Sequence, residues 1–549
     1  MRTCKYGIAL LMALCMLLSL CACSEPKREL LPTAEPTVAP DPETVHQLTY
    51  TVKPEKGGTV HLSSDSARYG DTVELTVEPN NGYKVSSVKI NRKDIFFYDG
   101  VGKISDLTED AKVEVEFKNL QDVPEGDPEK VIPCSLTATF YNSEATEIGI
   151  SWHTDQEGMP VIKYMKAEGA DLVNPDFSEA TTVMGYTYFT ASNYANYGAL
   201  KNLEPDTEYL YMVGDSKLNV FSEVCSFHTK PENTDKVTFL HFSDTQDEQN
   251  FGTIWGDGLK DALSRYENPA FILNTGDMVQ QGGLEELWRS MIGLNAEYLH
   301  KNILVYVAGN HDYWEDYLHG AKKCAYSHFC VDVPNDQDVW YGMYYSFDYG
   351  DVHFTVLNTG DTRETGNWGL TNEQLNWAKK DLLSTDKKWK IVAMHNPLYS
   401  PGKYGSSENY NLVAKSLREQ FNPIFSQCGV DLVLTGHDHV YSRTYPVSAE
   451  GQALLKTKTT TENGLTYMVN PQGPVHLASA VAGNQARSIV DDMSKEDEAM
   501  FQEMMSAVYE HCYYSAITVE EDKLTVEFYE VDGAKGTSDL RYAWGIVKQ

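Results

Sequence analysis

The sequence predicts a multidomain chain in which two β-rich modules precede a larger α/β domain. Three observations carry this. Residues 47–118 alternate apolar and polar side chains between tight turns, and about 131–231 repeats strand-sized runs at sandwich spacing. After Lys236, apolar runs alternate with longer amphipathic segments such as Leu284–His300 and Gln374–Leu383. The 549 residues make roughly three or four domains of about 100–200 residues each.

Composition narrows the class. With 42% hydrophobic residues, 39 glycines and 22 prolines, the chain is neither collagen-like nor wholly disordered. Its 45 basic against 79 acidic side chains leave a formal charge of −34. That argues against binding nucleic acid or anionic lipid through a general basic face.

At the N-terminus, Arg2 and Lys5 precede an apolar stretch from Ile8 to Leu20. It is short of the roughly 20 residues a spanning helix needs but suits the core of an export signal. It ends in Leu20-Cys21-Ala22-Cys23, which resembles a bacterial lipobox. The resemblance implies a signal peptide over 1–22, cleavage before Cys23 and a lipid on the Cys23 sulfur; an ordinary signal cut nearby is the alternative. Residues 23–46, rich in Pro, Thr and Glu, read as an extended stalk. The expected location is the bacterial cell surface, lipid-anchored to the membrane. Beyond the signal six cysteines remain: Cys134, Cys225, Cys324, Cys330, Cys428 and Cys512. An even number in an exported chain permits disulfides, with fifteen pairings open. A Cys134–Cys225 bridge and free buried thiols are both compatible with it.

In residues 47–118 the string GGTV…YGDTVELTVEPNNGYKVSSV resembles the B-repeat-like modules of bacterial cell-surface proteins. It holds no cluster of chemistry-bearing side chains and reads as a spacer, with contact to the cell surface as the other role. An acidic linker, 119–130, follows. In 131–231, Glu147–Trp152 and Thr207–Val213 are the expected core strands of a β-sandwich, with Trp152 and Tyr209 as core residues. ATEIGISWHTD, LKNLEPDTEYLYMVGD and VCSFHT resemble the fibronectin-III-like domain that precedes the catalytic domain of purple acid phosphatases.

Five apolar runs of the third domain, 236–549, each end at a polar cluster. Val237–Ser243 meets Asp244 and Gln246; Ala270–Thr275 meets Gly276-Asp277. Ile303–Ala308 meets Gly309-Asn310-His311-Asp312. Lys390–Met394 meets His395-Asn-Pro, and Val430–Thr435 meets Gly436-His437-Asp438-His439. Ligands of α/β sheets bind at the carboxyl ends of strands, so the clusters should converge on one edge. Two carboxylates, three imidazoles and two amide oxygens suit one or two divalent transition ions. Glycines before Asp277, Asn310 and His437 allow sharp turns that bring the next side chain inward.

In this order SDTQ, GD, GNHD, HNP and GHDH resemble the signature blocks of calcineurin-like metallophosphoesterases. GHDHVYSRTYP, GPVHLASAVAGN and CYYSAITVEEDKLTVEFYEVDG are similar to the purple acid phosphatase branch, so the likeness spans about 131–549. It implies an αββα sandwich and a pair of metals, with iron, zinc or manganese as candidates. Asp277 would bridge them, Asp244 and His439 would complete one site, and Asn310, His395 and His437 the other. His311 would be the catalytic group that binds no metal, and Asn310 and His311 would also contact substrate. Asp312 and Asp438 would orient histidines.

The chain departs from the branch twice. Gln280 stands where a tyrosine is usual, which puts the purple ferric-tyrosinate colour in doubt. Gln246 stands where the branch has glycine and many relatives have histidine, so its side-chain oxygen is a further candidate ligand, with a hydrogen-bonding role as the alternative. Arg443 is a candidate for pairing with substrate phosphate, or with a local carboxylate. His241, His353 and His476 read as core residues, and Met500–Met505 as a helix face.

The chemistry expected is hydrolysis of phosphomonoesters by water activated between the metals. A phosphodiesterase or nucleotide pyrophosphohydrolase on the same site is one alternative. A surface-binding lipoprotein with weak catalysis is another.

Overall fold

A computed structural model describes residues 43–549 apart from 96–99, 124–125, 191, 248–251, 314–325, 335–342, 361–369 and 408–409. The expected signal peptide, most of the stalk, Cys23 and Cys324 lie outside the described residues. Among those described, no helix is long and apolar enough to cross a membrane.

The first module is all β. Val45–Lys53 pairs in parallel with Ala111–Asn119, and Gly58–Leu62, Thr72–Pro79 and Val101–Ser105 make a second sheet of three strands. Alternation builds the core: Val73, Leu75 and Val77 from one sheet are buried with Val113, Val115 and Phe117 from the other.

The second module is a sandwich. Cys134–Phe140, Ile148–Thr154, Tyr194–Leu200 and Tyr186–Phe189 form one sheet; Pro160–Lys166, Thr181–Met184, Glu208–Asp215, Val220–Phe221 and Cys225–His228 form the other. Trp152 and Tyr209 are in its core. Every residue of Ile148–Thr154 is buried, although only half of an alternating strand can face its own core. The other half docks on the following domain. Thr137 and Ser151 donate to the His328 carbonyl, and Thr139 donates to that of Cys330 at 2.6 Å. Cys134 and Cys225 are free thiols and are not bridged to each other.

The third domain holds an eight-stranded and a seven-stranded sheet. Phe239 and Phe271 from the first stack at 4.9 Å, and Phe239 meets Phe354 of the second edge-on at 5.3 Å, so the two sheets face each other through an aromatic layer. The next residue along each strand points the other way. Ile391 and Ala393 join this inner layer, whereas Val392 and Met394 pack with Leu382 of the helix Asn372–Ser384 and Phe421 and Phe425 of the helix Leu412–Cys428. Being covered on both faces explains why these strands are continuous apolar runs. Of the expected helix face at Met500–Met505, Met500 ends the helix Lys495–Met500, and the rest lies in the strand Phe501–Ser506, paired antiparallel with Val440–Thr444. Edge pairing overrode local helix propensity there.

His241 and His476 are buried as expected. His353 is buried between two carboxylates, with Nδ1 2.7 Å from Asp348 and Nε2 3.0 Å from Asp381. Burial alone would lower its pKa, but Asp348 and Asp381 lift it to about 9. A raised folded-state pKa contributes stability that is complete below the unfolded value of about 6.5 and is lost as pH rises through about 9. His353→Gln should therefore cost about 1–3 kcal/mol near pH 6 and much less near pH 10. Thermal midpoints of the two proteins across that range check this.

Candidate metal centre

The five clusters are divided between the two sheets. Asp244 follows Lys236–Phe242, Asp277 follows Ile272–Asn274, and Asn310 and His311 follow Leu304–Tyr306; these strands are parallel neighbours in the eight-stranded sheet. His395 follows Trp389–Ala393, and His437 and His439 follow Leu432–Thr435, parallel neighbours in the seven-stranded sheet. The site thus spans the carboxyl ends of two facing sheets, where the sequence pointed to one edge.

Ligand-type atoms of Asp244, Asp277 and His439 lie within 4.8 Å of one another, as do those of Asp277, His395 and His437. Asp277 belongs to both groups. Asn310 Oδ1 joins the second at 3.2 Å from His395 Nε2. Asp244, Asp277, His437 and His439 all have left-handed backbones, with φ of 51°, 53°, 72° and 56°. Such conformations cost on the order of 1–3 kcal/mol each and gather at functional sites. Gly276 has φ 99°, and a side chain there would meet His395 Nδ1 at 2.6 Å; at Gly309 it would meet Asp277 Oδ1 at 2.2 Å. Both glycines are demanded by close approach.

The hydrogen bonds fix where protons sit. His395 Nδ1 donates to the Thr275 carbonyl at 2.8 Å, so in the neutral ring its Nε2 offers a lone pair. That atom faces Asp277 Oδ2, Asn310 Oδ1 and His437 Nδ1, each at 3.2 Å. His439 Nδ1 donates to the Gln485 carbonyl; its buried Nε2 lies 3.2 Å from Asp244 Oδ1 with no hydrogen-bond partner. Acceptors face acceptors. Buried lone pairs this close repel one another unless positive charge lies between them. Burial would lower the pKa of His395, yet Asp277 and Asp244 raise it to about 9. Burial would raise that of Asp277, yet His395 and His311 hold it below the usual range. Both shifts mark places that attract a cation. Asp244, Asp277 and His439 fit one divalent transition ion, and Asp277, Asn310, His395 and His437 fit a second.

The surrounding residues hold the loops. His311 donates its backbone N–H to Asp277 Oδ1 at 2.7 Å, and its Nδ1 donates to the Gln280 carbonyl at 3.0 Å, which orients the ring beside the bridging carboxylate. Among the described residues, Asp312 orients no histidine. Its carboxylate accepts the backbone N–H groups of Asp277, Met278, Val279 and Gly309 at 2.9–3.2 Å and the Tyr306 hydroxyl at 2.8 Å. Asp438 likewise accepts from the backbone of Tyr404 and Gly405. With its side-chain amide turned over, the Gln246 nitrogen donates to the carbonyls of Asp277 at 2.7 Å and Asp244 at 3.3 Å, which is the hydrogen-bonding role. It braces the two aspartate loops. Gln280 accepts at Oε1 from Gln485 at 2.5 Å, which links its loop to the one that holds His439.

Arg443 is misplaced for substrate. It is 3% exposed, donates to the Tyr542 hydroxyl at 2.7 Å and lies over the Trp544 ring. Strand periodicity puts it on the same side as Tyr441, whose hydroxyl accepts from Trp544, so it faces the C-terminal strand Thr537–Val547. Among the described residues, the arginine at the site is Arg487, which donates to the His437 carbonyl at 2.9 Å and lies over the Tyr404 ring. Tyr404 packs against His437 at 4.8 Å, and Lys403 lies over Tyr410. The sequence reading missed all three. The only signals were Arg487 shortly after the AVAGN string and a basic-aromatic pair between glycines in GKYG.

Residues 237–441 match the family described as calcineurin-like phosphoesterase, 133–229 the purple acid phosphatase N-terminal domain, and 48–95 the divergent InlB B-repeat domain. Purple acid phosphatase 23 of Arabidopsis thaliana is 24% identical over 384 residues, covering 64% of this chain and 73% of that one. The structure resembles that of the purple acid phosphatase PPD1 from yellow lupin, Lupinus luteus (TM-score 0.61, 16% identity, covering 93% of this chain and 97% of that one). It also resembles the structure of PhoD (TM-score 0.56, 15% identity, 78% and 92% covered).

Because Asp312 gathers the Asp277 and Asn310 loops, Asp312→Asn should weaken metal retention about 10- to 100-fold. It turns an amide N–H toward backbone donors, so stability should fall by about 1–3 kcal/mol. Metal content after competition with a chelator, and a thermal midpoint, check the two effects.

Proposed function

From the premise that this chain is a calcineurin-like metallophosphoesterase carrying a purple acid phosphatase N-terminal domain, we propose that it hydrolyses phosphomonoesters outside the cytoplasmic membrane. The observation that carries the chemistry is Asp277 shared between two ligand groups. A pair of divalent ions supplies Lewis acidity toward phosphoryl oxygens and a nucleophile near neutral pH. The chain's own residues do the positioning. Asn310 and His311 leave the same turn, and the Gln280 carbonyl fixes the His311 ring. From there His311 donates a proton to the leaving alcohol or a hydrogen bond to the transferring oxygens, a role worth about 10²–10⁴-fold.

The monoester preference rests on charge. A monoester carries nearly two negative charges at pH 7, since its second pKa is about 6, and a diester carries one. Arg487 and Lys403, beside His437 and Tyr404, suit the former. Export and a lipid on Cys23 rest on the residue pattern of 1–23. Contact of the 47–118 module with the cell surface rests on its B-repeat likeness.

p-Nitrophenyl phosphate should be hydrolysed at least about ten times faster than its bis ester. Asp277→Asn should reduce kcat by roughly 10³-fold, and stripping metal should abolish turnover until iron, zinc or manganese is restored. Faster diester turnover would favour the phosphodiesterase alternative. Turnover of neither ester by metal-loaded protein would leave the binding lipoprotein. Arg487→Met should raise KM for the monoester about 10-fold or more. Arg443→Met should leave KM unchanged and lower the thermal midpoint. Cys23→Ala should move the protein from the membrane to the soluble fraction.

A further inference from the structure

The two cations beside the metal centre are placed differently. Arg487 meets the His437 carbonyl directly, whereas Lys403 reaches the centre only through the Tyr404 ring, which itself packs against His437 at 4.8 Å. Lys403 Nζ sits in a corner between two tyrosines, 3.9 Å from the Tyr410 centroid and 5.0 Å from that of Tyr404. The two rings are 6.4 Å apart and nearly perpendicular, at 81°. Acidic side chains outnumber basic ones in this chain by 79 to 45, yet among the described residues Lys403 pairs with no carboxylate. Tyr410 is 45% exposed, so the corner is open to a ligand.

The segment that carries this corner is fastened to the metal loops. The backbone N–H groups of Tyr404 and Gly405 donate to Asp438 at 2.9 and 2.8 Å, and Asp438 stands between His437 and His439 in the sequence. A side chain at Gly402 would meet the Asp438 carboxyl carbon at 2.6 Å, so the approach is close. On the other side, the Val490 N–H donates to the Pro401 carbonyl at 3.0 Å, and Ser407 donates to Asp492 at 2.8 Å and bridges to Met493. Those contacts tie the segment to the one that holds Arg487. Arg418 donates to the Leu398 and Gly405 carbonyls at 2.6 and 2.9 Å and closes the back of the turn. The position of Lys403 relative to the metal ligands is therefore set by the fold before any substrate arrives.

We propose that Lys403 is a specificity-determining residue that binds a second anionic group, a carboxylate or a further phosphate, on the leaving alcohol of the substrate. The inference deepens the phosphatase reading and rests on it. Ring faces attract the ammonium and restrict where it goes, but they occupy none of its three N–H donors as a carboxylate would. A cation already ordered loses less freedom when an anion binds, so more of the attraction appears as affinity. Arg487, held at the His437 carbonyl, serves the phosphoryl group at the metals. Lys403, one ring removed, serves a charge further along the same molecule.

The test uses two non-hydrolysable ligands of one shape, 4-carboxybenzylphosphonate and its uncharged 4-carbamoyl counterpart, titrated calorimetrically into the metal-loaded full chain. The carboxylate should bind about 5- to 10-fold more tightly than the amide. Lys403→Met should reduce that ratio to about one, and Lys403→Arg, which keeps a cation able to lie over tyrosine, should retain most of it. Comparing the two ligands on one protein cancels any general loss of affinity or stability in a variant. Equal binding of the two ligands to the unaltered chain, or a preference that Lys403→Met leaves intact, would overturn the proposal. Because binding is read without turnover, failure of the phosphatase reading would show separately, as no hydrolysis of p-nitrophenyl phosphate by the same metal-loaded protein.

Discussion

Electron-rich atoms forced to face one another are the constraint on which this structure turns. His395, His437, His439, Asp244, Asp277 and Asn310 direct lone pairs into one buried volume, and four of the six sit in left-handed backbone to do so. Such an arrangement is unfavourable on its own terms. It persists because the surrounding fold over-determines it and because positive charge relieves it.

The over-determination has a visible centre. Asp312 collects four backbone N–H groups and a phenol, so the loop after Ile272–Asn274 and the loop after Leu304–Tyr306 cannot move independently. Gln246 ties the Asp244 and Asp277 loops, and Gln280 and Gln485 connect the Asp277 loop to the one holding His439. Both amide side chains hold loops together. Ligand geometry is thus set by residues that hydrogen-bond the backbone or ring nitrogens of the clustered residues.

Much of this was legible in the sequence, and for a definable reason. A strand buried on both faces must be apolar throughout, so a sudden polar cluster at its end stands out, and five such ends located Asp244, Asp277, Asn310, His395, His437 and His439. The same logic could not say that the strands belong to two sheets, because apolar runs carry no record of their partners. Arg443 was misread because proximity to a motif says nothing of which way a strand residue points. Tyr441 and Arg443 share a face committed to Trp544, a residue about a hundred positions away. Arg487 went unnoticed since it lies in an irregular segment with no periodicity. Met500–Met505 looked helical locally, and only a distant strand edge made it β. Asp312 was seen as a polar neighbour, but three of its five donors come from the distant stretch 277–279 and two from 306–309.

The docking of the sandwich has an evolutionary consequence. Thr137, Thr139 and Ser151 would be ordinary water-facing residues on an isolated sandwich, yet here they reach the carbonyls at 328 and 330. Those carbonyls lose their partners if the sandwich is replaced by another of the same shape but different surface. The two units are therefore heritable only as a pair, and recombination at the short connection near residue 232 would separate halves that have become complementary. The B-repeat-like module has a hydrophobic core of its own, yet Lys103 pairs with Asp332 and Lys84 and Lys118 pair with Glu157, so it too is fitted to the domains that follow it.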